Sequence, residues 1–348
     1  MEVFKPIVAR TCEDAFSGQP PRPLVPKPDL PFAPFEVNDP FGLRCAIMPI
    51  FFVSKDGDFQ GLGTGFSTDP WGSFCTADHV ISDYRNGVPE KSCLALMFSY
   101  GKGYGRIGFK LFDTFGIITG AQSLVVPYDN PFSFLPGQTD TKQLDLAFLS
   151  VSPPQGPHLK TLPVKSKASF PAIGDIVVAL GFPGIETEVG TSADVQNLIT
   201  ENMAAAYGKV VAVHIEGRDL ANPTPVFEVE ANWPSGMSGG PVFNAQGEVV
   251  GIVSRSIDQE PGNEVGLGWA ILLGALPVLE RWVPALDTDN ASYRRCWITY
   301  CPAPWKFGAA SPSKAEAETK AEQMGKGFQV SYGAWQVGTD NFMIVVKG

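Results

Sequence analysis

Short apolar runs separated by turn-forming residues extend through most of the chain, and this pattern limits the possible folds more than any other feature. From Arg44 onward, runs such as CAIMPIFFV, LDLAFLSV, DIVVALGF and EVVGIVS alternate with segments rich in glycine, proline, aspartate and asparagine. Each run has the length of a β-strand, and no amphipathic helical repeat lies between them. The pattern predicts a mainly β fold, built either as barrels or as a sandwich.

The two ends of the chain differ from this central region. Residues 19–34 read QPPRPLVPKPDLPFAP, and such proline density excludes a helix or a central strand. We therefore expect residues 1–40 to form a Pro-rich arm, either a linker or a strap on the domain surface. Within 291–348 a strand, a helix with Ser311 as its N-cap, and two further strands are predicted. This β-α-β-β pattern indicates a small C-terminal α+β domain after a main domain over 41–285.

Charge and cysteine content argue against several classes of function. The formal net charge is −10, and an acidic chain repels phosphates, so no nucleic-acid partner is expected. The N-terminus lacks a continuous apolar segment, and no run reaches the about 18 apolar residues of a spanning helix, so neither a signal peptide nor a membrane partner is expected. The six cysteines and three histidines are dispersed. They favour reduced thiols, no metal site and no cofactor, and together these features predict a cytoplasmic protein.

The glycine-rich segment NWPSGMSGGPVFN, from Asn232 to Asn244, lies between two predicted strands. Its glycines permit positive φ angles and close backbone approaches, so the turn is able to direct amide N–H groups into a pocket. Acyl transfer needs such groups because negative charge develops on the carbonyl oxygen. The hydroxyl of Ser238 is a weak nucleophile alone and needs a histidine base with an orienting carboxylate.

The sequence offers a candidate for each of these two roles. His79 lies in TADHV at a predicted strand end, and Asp145 lies in DLAFL, where a carboxylate beside apolar residues needs a partner. Each residue alone is more often structural, since histidines end strands, aspartates flank them and serines occupy turns. Taken in the order His79, Asp145, Ser238, however, the three motifs resemble those of chymotrypsin-like (trypsin-like) serine peptidases.

The resemblance extends over about residues 40–285 and is closest to bacterial HtrA/Deg-like members, with GLGWAI at 266–271 similar to the strand that closes their specificity pocket. It implies two six-stranded antiparallel β-barrels with the active site in the cleft between them. No segment after the main domain resembles a PDZ domain, so a typical HtrA architecture is not expected.

The resemblance also implies a role for each candidate residue. Ser238 would attack the scissile carbonyl, His79 would transfer the proton, and Asp145 would orient His79. The other implied site residues are the oxyanion-hole amides of Gly236 and Ser238, the pocket residues Asn232 and Trp233, and the substrate-binding edge of Ser254, Arg255 and Ser256.

Several positions depart from the family pattern. Met237 stands where digestive members carry the acid that pairs with a newly cut N-terminus, so that activation switch lacks its anchor. Val80 and Thr64 replace the cysteines of the usual disulfide beside the histidine, which agrees with a reducing compartment. Asp78 replaces a small residue, and the sequence offers no reason for it.

The residues near the expected specificity pocket bear on substrate preference. Asn232 is not an acid, so a strict Arg/Lys preference is not expected, and Trp233 would favour small or medium apolar side chains. Asp258, Glu260 and Glu264, in contrast, would place negative charge near the mouth of the pocket.

The leading hypothesis is a serine endopeptidase that acts on a protein or peptide substrate. Its activity would be gated by an activator or regulatory partner, or by the arm and the C-terminal domain. Two alternatives are a catalytically silent peptide-binding module on the same fold and an esterase that uses the same three residues.

Overall fold

The computed structural model describes most of the chain, in segments separated by gaps. The described residues are 22–23, 35–36, 43, 46–68, 72–84, 87–98, 105–109, 114–127, 134, 136, 141–155, 169–188, 197–201, 203–219, 222–245, 248–257, 265–276 and 293–347. Across these segments the chain is mainly β, as predicted, with one α-helix. No helix in this part of the chain has the length and hydropathy needed to cross a membrane.

The strands are numbered in chain order. They are β1 (Arg22–Pro23), β2 (Phe35–Glu36), β3 (Ile47–Val53), β4 (Phe59–Ser67), β5 (Ser73–Thr76), β6 (Cys93–Met97), β7 (Gly105–Phe109), β8 (Phe115–Pro127), β9 (Thr141–Ser152), β10 (Ile176–Gly181), β11 (Glu186–Glu188), β12 (Asn197–Glu201), β13 (Ala204–His214), β14 (Val226–Ala231), β15 (Pro241–Phe243), β16 (Val249–Ile257), β17 (Leu267–Leu272), β18 (Tyr293–Pro302), β19 (Trp305–Ser311), β20 (Gln329–Gln336) and β21 (Phe342–Lys347). The helix α1 spans Lys314–Met324.

The first barrel is closed by six antiparallel strands in the order β3-β4-β5-β9-β8-β6. Successive residues of a strand face opposite sides, so alternate side chains of each strand point into the barrel. In β9, Leu144, Leu146, Leu149 and Val151 are buried. Asp145 lies between two of these leucines and therefore projects from the opposite face of the strand.

The second barrel contains β13, β10, β15, β16, β17 and β14 in that order, and pairing of β14 with β13 closes it. Val177, Val229, Val242 and Ala270 fill its interior with exposures of 1% or less. The predicted pair of six-stranded barrels is therefore confirmed.

In the part of the chain that the structure describes, five further strands lie outside the two barrels and before the C-terminal sheet. β2 pairs with β13 and β1 pairs with β2, so the described parts of the arm extend the sheet of the second barrel. β7, β12 and β11 form a separate three-stranded sheet, which the sequence analysis did not predict. The boundaries proposed for the arm, the main domain and the C-terminal domain stay predictions.

The C-terminal strands form a sheet of their own in the order β19-β18-β20-β21, with α1 packed on it. The predicted β-α-β-β pattern is wrong because it omits β19. That strand reads WKFGAAS, and its glycine and alanines have low strand propensity. Ser311 is the last residue of β19, and the true N-cap is Ser313, whose hydroxyl accepts from the amide of Glu316 at 3.3 Å.

Candidate active site

His79 and Asp145 meet because two strands of the first barrel pair with each other. β5 pairs with β9 in a register that sets Thr76 opposite Ala147. His79 follows β5 in a short 3-10 turn, and Asp145 lies two residues before Ala147 on β9. Strand pairing therefore brings both side chains to the same edge of the barrel.

In the described segments, Asp145 is the one side chain that hydrogen-bonds to the imidazole of His79. Nδ1 lies 3.0 Å from each carboxylate oxygen, and the backbone amide of His79 donates to Oδ1 at 2.9 Å. A carboxylate only accepts hydrogen bonds, so Nδ1 carries the proton in this contact. In the neutral ring, Nε2 then has a free lone pair and is able to act as a base.

Asp145 is held from a second side by the second barrel. The Ser254 hydroxyl donates to Oδ2 at 2.5 Å, and the amide of Asp145 donates to the hydroxyl of Thr224 at 2.8 Å. Burial opposes ionisation of this carboxyl group, but the hydrogen bonds and charge of His79 and the hydrogen bond from Ser254 outweigh it. The pKa of Asp145 is therefore lowered from its ordinary value, and the group is a carboxylate at neutral pH.

Ser238 lies in the loop between β14 and β15, and its hydroxyl donates to the backbone carbonyl of Ser254 at 3.2 Å. Within the described residues this is the sole hydrogen bond of the hydroxyl, so His79 is not its acceptor in this conformation. Ser254 contacts Asp145 through its hydroxyl and Ser238 through its carbonyl. It therefore links the nucleophile candidate to the His79–Asp145 pair.

The amides expected to form an oxyanion hole have no acceptor in the described part of the protein. Neither Gly236 nor Ser238 donates its N–H to another described residue, whereas the amide of Gly239 bonds to the carbonyl of Val253 at 2.7 Å. Gly236 has a φ of 96°, and a Cβ there would lie 2.5 Å from the Phe182 carbonyl oxygen. A residue other than glycine would therefore strain or displace this turn.

Thr64 positions the loop, a role that the sequence analysis did not predict. Its hydroxyl donates to the carbonyl of Gly236 at 2.8 Å and accepts from the amide of Phe182 at 3.1 Å. Its own amide donates to the carbonyl of Ser238 at 2.8 Å. The sequence marked Thr64 only as a missing cysteine, because its partners are far away in the chain.

Met237 is fully buried, in the apolar interior of the second barrel, together with Val177, Ala179 and Val242. A side chain between Gly236 and Ser238 is thereby held by hydrophobic packing, where the acid of digestive relatives would be expected to form an ion pair.

Asp78, which the sequence left unexplained, has a structural role. Its carboxylate is 6% exposed, accepts from the amide of Gln143 at 2.7 Å, and also accepts from the hydroxyl of Ser123. These bonds tie the turn that contains His79 to β8 and β9.

The two predicted pocket residues are the first two residues of the loop between β14 and β15. Asn232 accepts from the amide of Gly266 at 2.9 Å through Oδ1, and the Trp233 carbonyl accepts from the hydroxyl of Ser256 at 2.7 Å. The Trp233 indole is 2% exposed and lies against Gly268. Contact of these residues with a substrate stays a prediction, and Asp258, Glu260 and Glu264 lie outside the described residues.

A cavity of about 350 Å³ opens beside His79 and Asp145, on the side of Ser254 and Arg255. Its remaining wall includes Arg218 and Trp269, which the sequence analysis did not select. In the segments that the structure describes, no cluster of histidine, cysteine or acidic side chains is arranged to hold a metal ion. The cysteines in these segments, Cys75, Cys93, Cys296 and Cys301, are free thiols.

Comparison with known proteins places this site in a family context. The family described as Trypsin-like peptidase domain matches residues 63–252. Serine endoprotease DegS of Salmonella typhimurium is 31% identical over 216 residues, and DegS of Escherichia coli is 30% identical over the same length. Each alignment covers 62% of this chain and 46% of the relative, so the chain matches about half the length of these relatives.

Solved structures of the Rv3671c protease from Mycobacterium tuberculosis are also similar. The active form has a TM-score of 0.39 and 17% identity, and covers 71% of this chain and 85% of its own. An inactive form has a TM-score of 0.36 and 18% identity, and covers 67% of this chain and 85% of its own.

Proposed function

The chain belongs to the trypsin-like peptidase domain family, and on that premise we propose that it is a serine endopeptidase that uses Ser238, His79 and Asp145. The observation that carries this proposal is the convergence on Ser254, which bonds to both Asp145 and Ser238. An ordinary turn serine has no reason to share a partner with the buried carboxylate that orients a histidine.

The chemistry follows from these contacts. Rotation of the Ser238 side chain away from the Ser254 carbonyl brings its hydroxyl toward His79. Oγ then bonds to the substrate carbonyl carbon while its proton passes to Nε2 of His79. The same proton goes to the leaving amine as the C–N bond breaks. A water molecule next attacks the acyl carbon and gives a proton to Nε2 of His79. As the bond between the acyl carbon and Oγ breaks, His79 returns this proton to Ser238, and the acid is released.

The oxyanion is stabilised in this scheme by the amides of Gly236 and Ser238. Donors aimed at developing charge typically contribute about 3–4 kcal/mol to the barrier of acyl transfer. Burial of Met237 and the bonds made by Thr64 support a loop that takes this shape without a newly cut N-terminus. Control of the activity by an activator or regulatory partner, or by the arm and the C-terminal domain, stays a prediction, as does the cytoplasmic location.

Labelling with a fluorophosphonate probe tests the proposal. We expect wild-type protein to be labelled, Ser238→Ala to remain unlabelled, and Ser152→Ala, which alters an exposed serine on β9, to label at the wild-type rate. Absence of labelling in folded wild-type protein would contradict the peptidase proposal. Binding of extended peptides without labelling would instead favour the silent module.

A second assay distinguishes an esterase from an endopeptidase. Hydrolysis of a denatured protein mixture, analysed by mass spectrometry of the new peptide termini, should accompany labelling by an endopeptidase. Labelling together with turnover of small esters but no new termini would favour the esterase.

A further inference from the structure

A row of large side chains crosses the second barrel beside His79. Arg255 on β16 lies opposite Trp269 on β17, and Trp269 lies opposite Glu228 on β14. Residues directly opposite each other in an antiparallel sheet project from the same face. Arg218, from the turn after β13, places its guanidinium 4.2 Å from the centre of the Trp269 ring. Both arginines therefore adjoin one indole, and all three side chains line the cavity beside His79.

Glu228 orients Trp269 and Arg218 but does not occupy all the N–H donors of Arg218. It accepts from the indole N–H of Trp269 at 2.8 Å and lies 3.6 Å from Nε of Arg218. His214 lies on the same carboxylate, with Nε2 at 3.2 Å from Oε1. A guanidinium has five N–H donors in a planar fork, and contact through Nε leaves the terminal Nη groups for another acceptor.

The negative groups in the cavity wall are already satisfied. Asp145 is held by His79 and Ser254, and Asp78 is 6% exposed and accepts from two side chains. Arg255, in contrast, is exposed and forms no ion pair with any residue that the structure describes. A ligand that enters the cavity therefore meets available cations, while the carboxylates have their hydrogen-bond partners.

The backbone of β16 offers a place for an extended peptide. β15 pairs with β16 only as far as Ile252, whereas the pairing with β17 continues to Ile257. On the β15 side, Ser254–Ile257 thus has no strand partner among the described elements, and such an edge accepts a peptide by strand addition. An antiparallel peptide there would run toward Ser238, so the residues beside Arg255 would precede the scissile bond.

We propose that the cavity lined by Arg218, Arg255 and Trp269 binds an aspartate or glutamate side chain located within about four residues before the scissile bond, the length that this edge accommodates. The inference rests on the proposed peptidase function and names its substrate class. The carboxylate bonds to the two guanidinium groups, of which that of Arg218 is held over the Trp269 indole. The sequence pattern, in contrast, bears only on the residue at the scissile bond.

A binding assay and a cleavage assay test this inference separately. Immobilised Ser238→Ala is exposed to a degenerate library of blocked decapeptides, and retained peptides are sequenced. The best-retained peptide is then compared with its analogue in which glutamate is replaced by glutamine or aspartate by asparagine. We expect the acidic form to bind about tenfold more tightly, the usual range for a charge-assisted hydrogen bond, and the difference to shrink as salt is raised.

Substitutions identify the groups responsible. Arg255→Glu changes an exposed residue and should abolish the preference without altering thermal stability, and Arg218→Gln should reduce it. Arg294→Glu, the same charge change at an exposed position on β18, should leave the preference intact. Equal binding of the paired peptides, no retained peptide, or a preference unaffected by Arg255→Glu would overturn the proposal. Acid-dependent binding without cleavage by wild-type protein would overturn only the peptidase function.

Discussion

At the scale of single residues, Thr64 stands where relatives carry a cysteine, but its contacts differ from those of the usual disulfide. Its hydroxyl and amide contact Gly236, Phe182 and Ser238. One buried residue of the first barrel therefore holds the nucleophile loop, residues 232–240, on both sides of Met237. A disulfide would crosslink the turn beside His79 only within the first barrel. The hydrogen bonds of Thr64 instead join the two barrels, and they need no oxidising compartment.

Replacing Thr64 with valine tests this role. Thr64→Val keeps the shape but leaves the carbonyl of Gly236 and the amide of Phe182 without their partner. We expect the free energy of unfolding in urea to fall by about 1–3 kcal/mol and the fluorophosphonate labelling rate to fall with it. Thr299→Val is the matched control, since that buried hydroxyl bonds to the Ala317 carbonyl at 2.9 Å near α1. It should lose stability without slower labelling, and equal labelling of both variants would contradict the role of Thr64.

Asp145 gives a prediction for pH. Its pKa is lower in the folded protein than in the unfolded chain, so its ionised form stabilises the fold above the unfolded pKa, at about 4. That stabilisation is lost as the pH falls through the lower, folded pKa. In Asp145→Asn the corresponding part of the pH dependence of unfolding, measured by urea titration below about pH 5, should disappear.

The same substitution should slow labelling by about 10³–10⁴-fold at neutral pH, because an amide no longer favours the proton on Nδ1 of His79. Asp175→Asn, which changes an exposed aspartate, is the control and should label normally. If the free energy of unfolding of Asp145→Asn still fell below about pH 5 as it does in the wild type, this carboxylate would not contribute to acid unfolding.

At the scale of elements, β17 packs against the beginning of the nucleophile loop. Gly268 lies directly against the Trp233 ring, and a Cβ at this position would approach Cε3 of the indole to 2.4 Å. The strand therefore needs a residue without a side chain where it passes the tryptophan. The predicted pocket residue Trp233 and the strand motif GLGWAI are thus two halves of one packing arrangement.

Gly268→Ala tests the arrangement. The methyl group should displace the indole and lower the free energy of unfolding by about 1–3 kcal/mol, as overpacking of a core usually does. It should also alter the residue preferred at the scissile bond, measured by cleavage-site profiling. Gly120→Ala on β8, whose Cβ would come no closer than 3.7 Å to another residue, should be close to neutral. Equal stability of the two variants would rule out the proposed contact.

At the scale of the whole molecule, the site exists because two closed barrels each contribute part of it. His79 and Asp145 come from the first barrel, and Ser238 and Ser254 come from the second. The C-terminal sheet has its own apolar cluster of Cys296, Ile298 and Tyr300 with aromatic side chains of the same sheet around it. Helix α1 likewise packs on strands of that sheet.

This division predicts the effect of truncation. A chain that lacks residues 291–348 should keep the thermal transition of the barrels and the labelling rate of the full chain, because the removed strands pair with one another. A chain that lacks residues 1–40 loses β2, which pairs with β13, and should melt at a lower temperature. Loss of labelling in the first truncation would indicate that the C-terminal residues support the active site.

The sequence by itself determined the mainly β class, the pair of barrels implied by the motif order, and the candidates His79, Asp145 and Ser238. These features are local, because strand periodicity and a short motif are contained in neighbouring residues. Only the tertiary structure decided the contacts of Thr64 with a loop 172 residues away, the packing of Trp233 on Gly268, and the row of Arg255, Trp269 and Glu228. Such contacts depend on the register of paired strands and the closure of the barrels, and no local pattern specifies which distant residues then become neighbours.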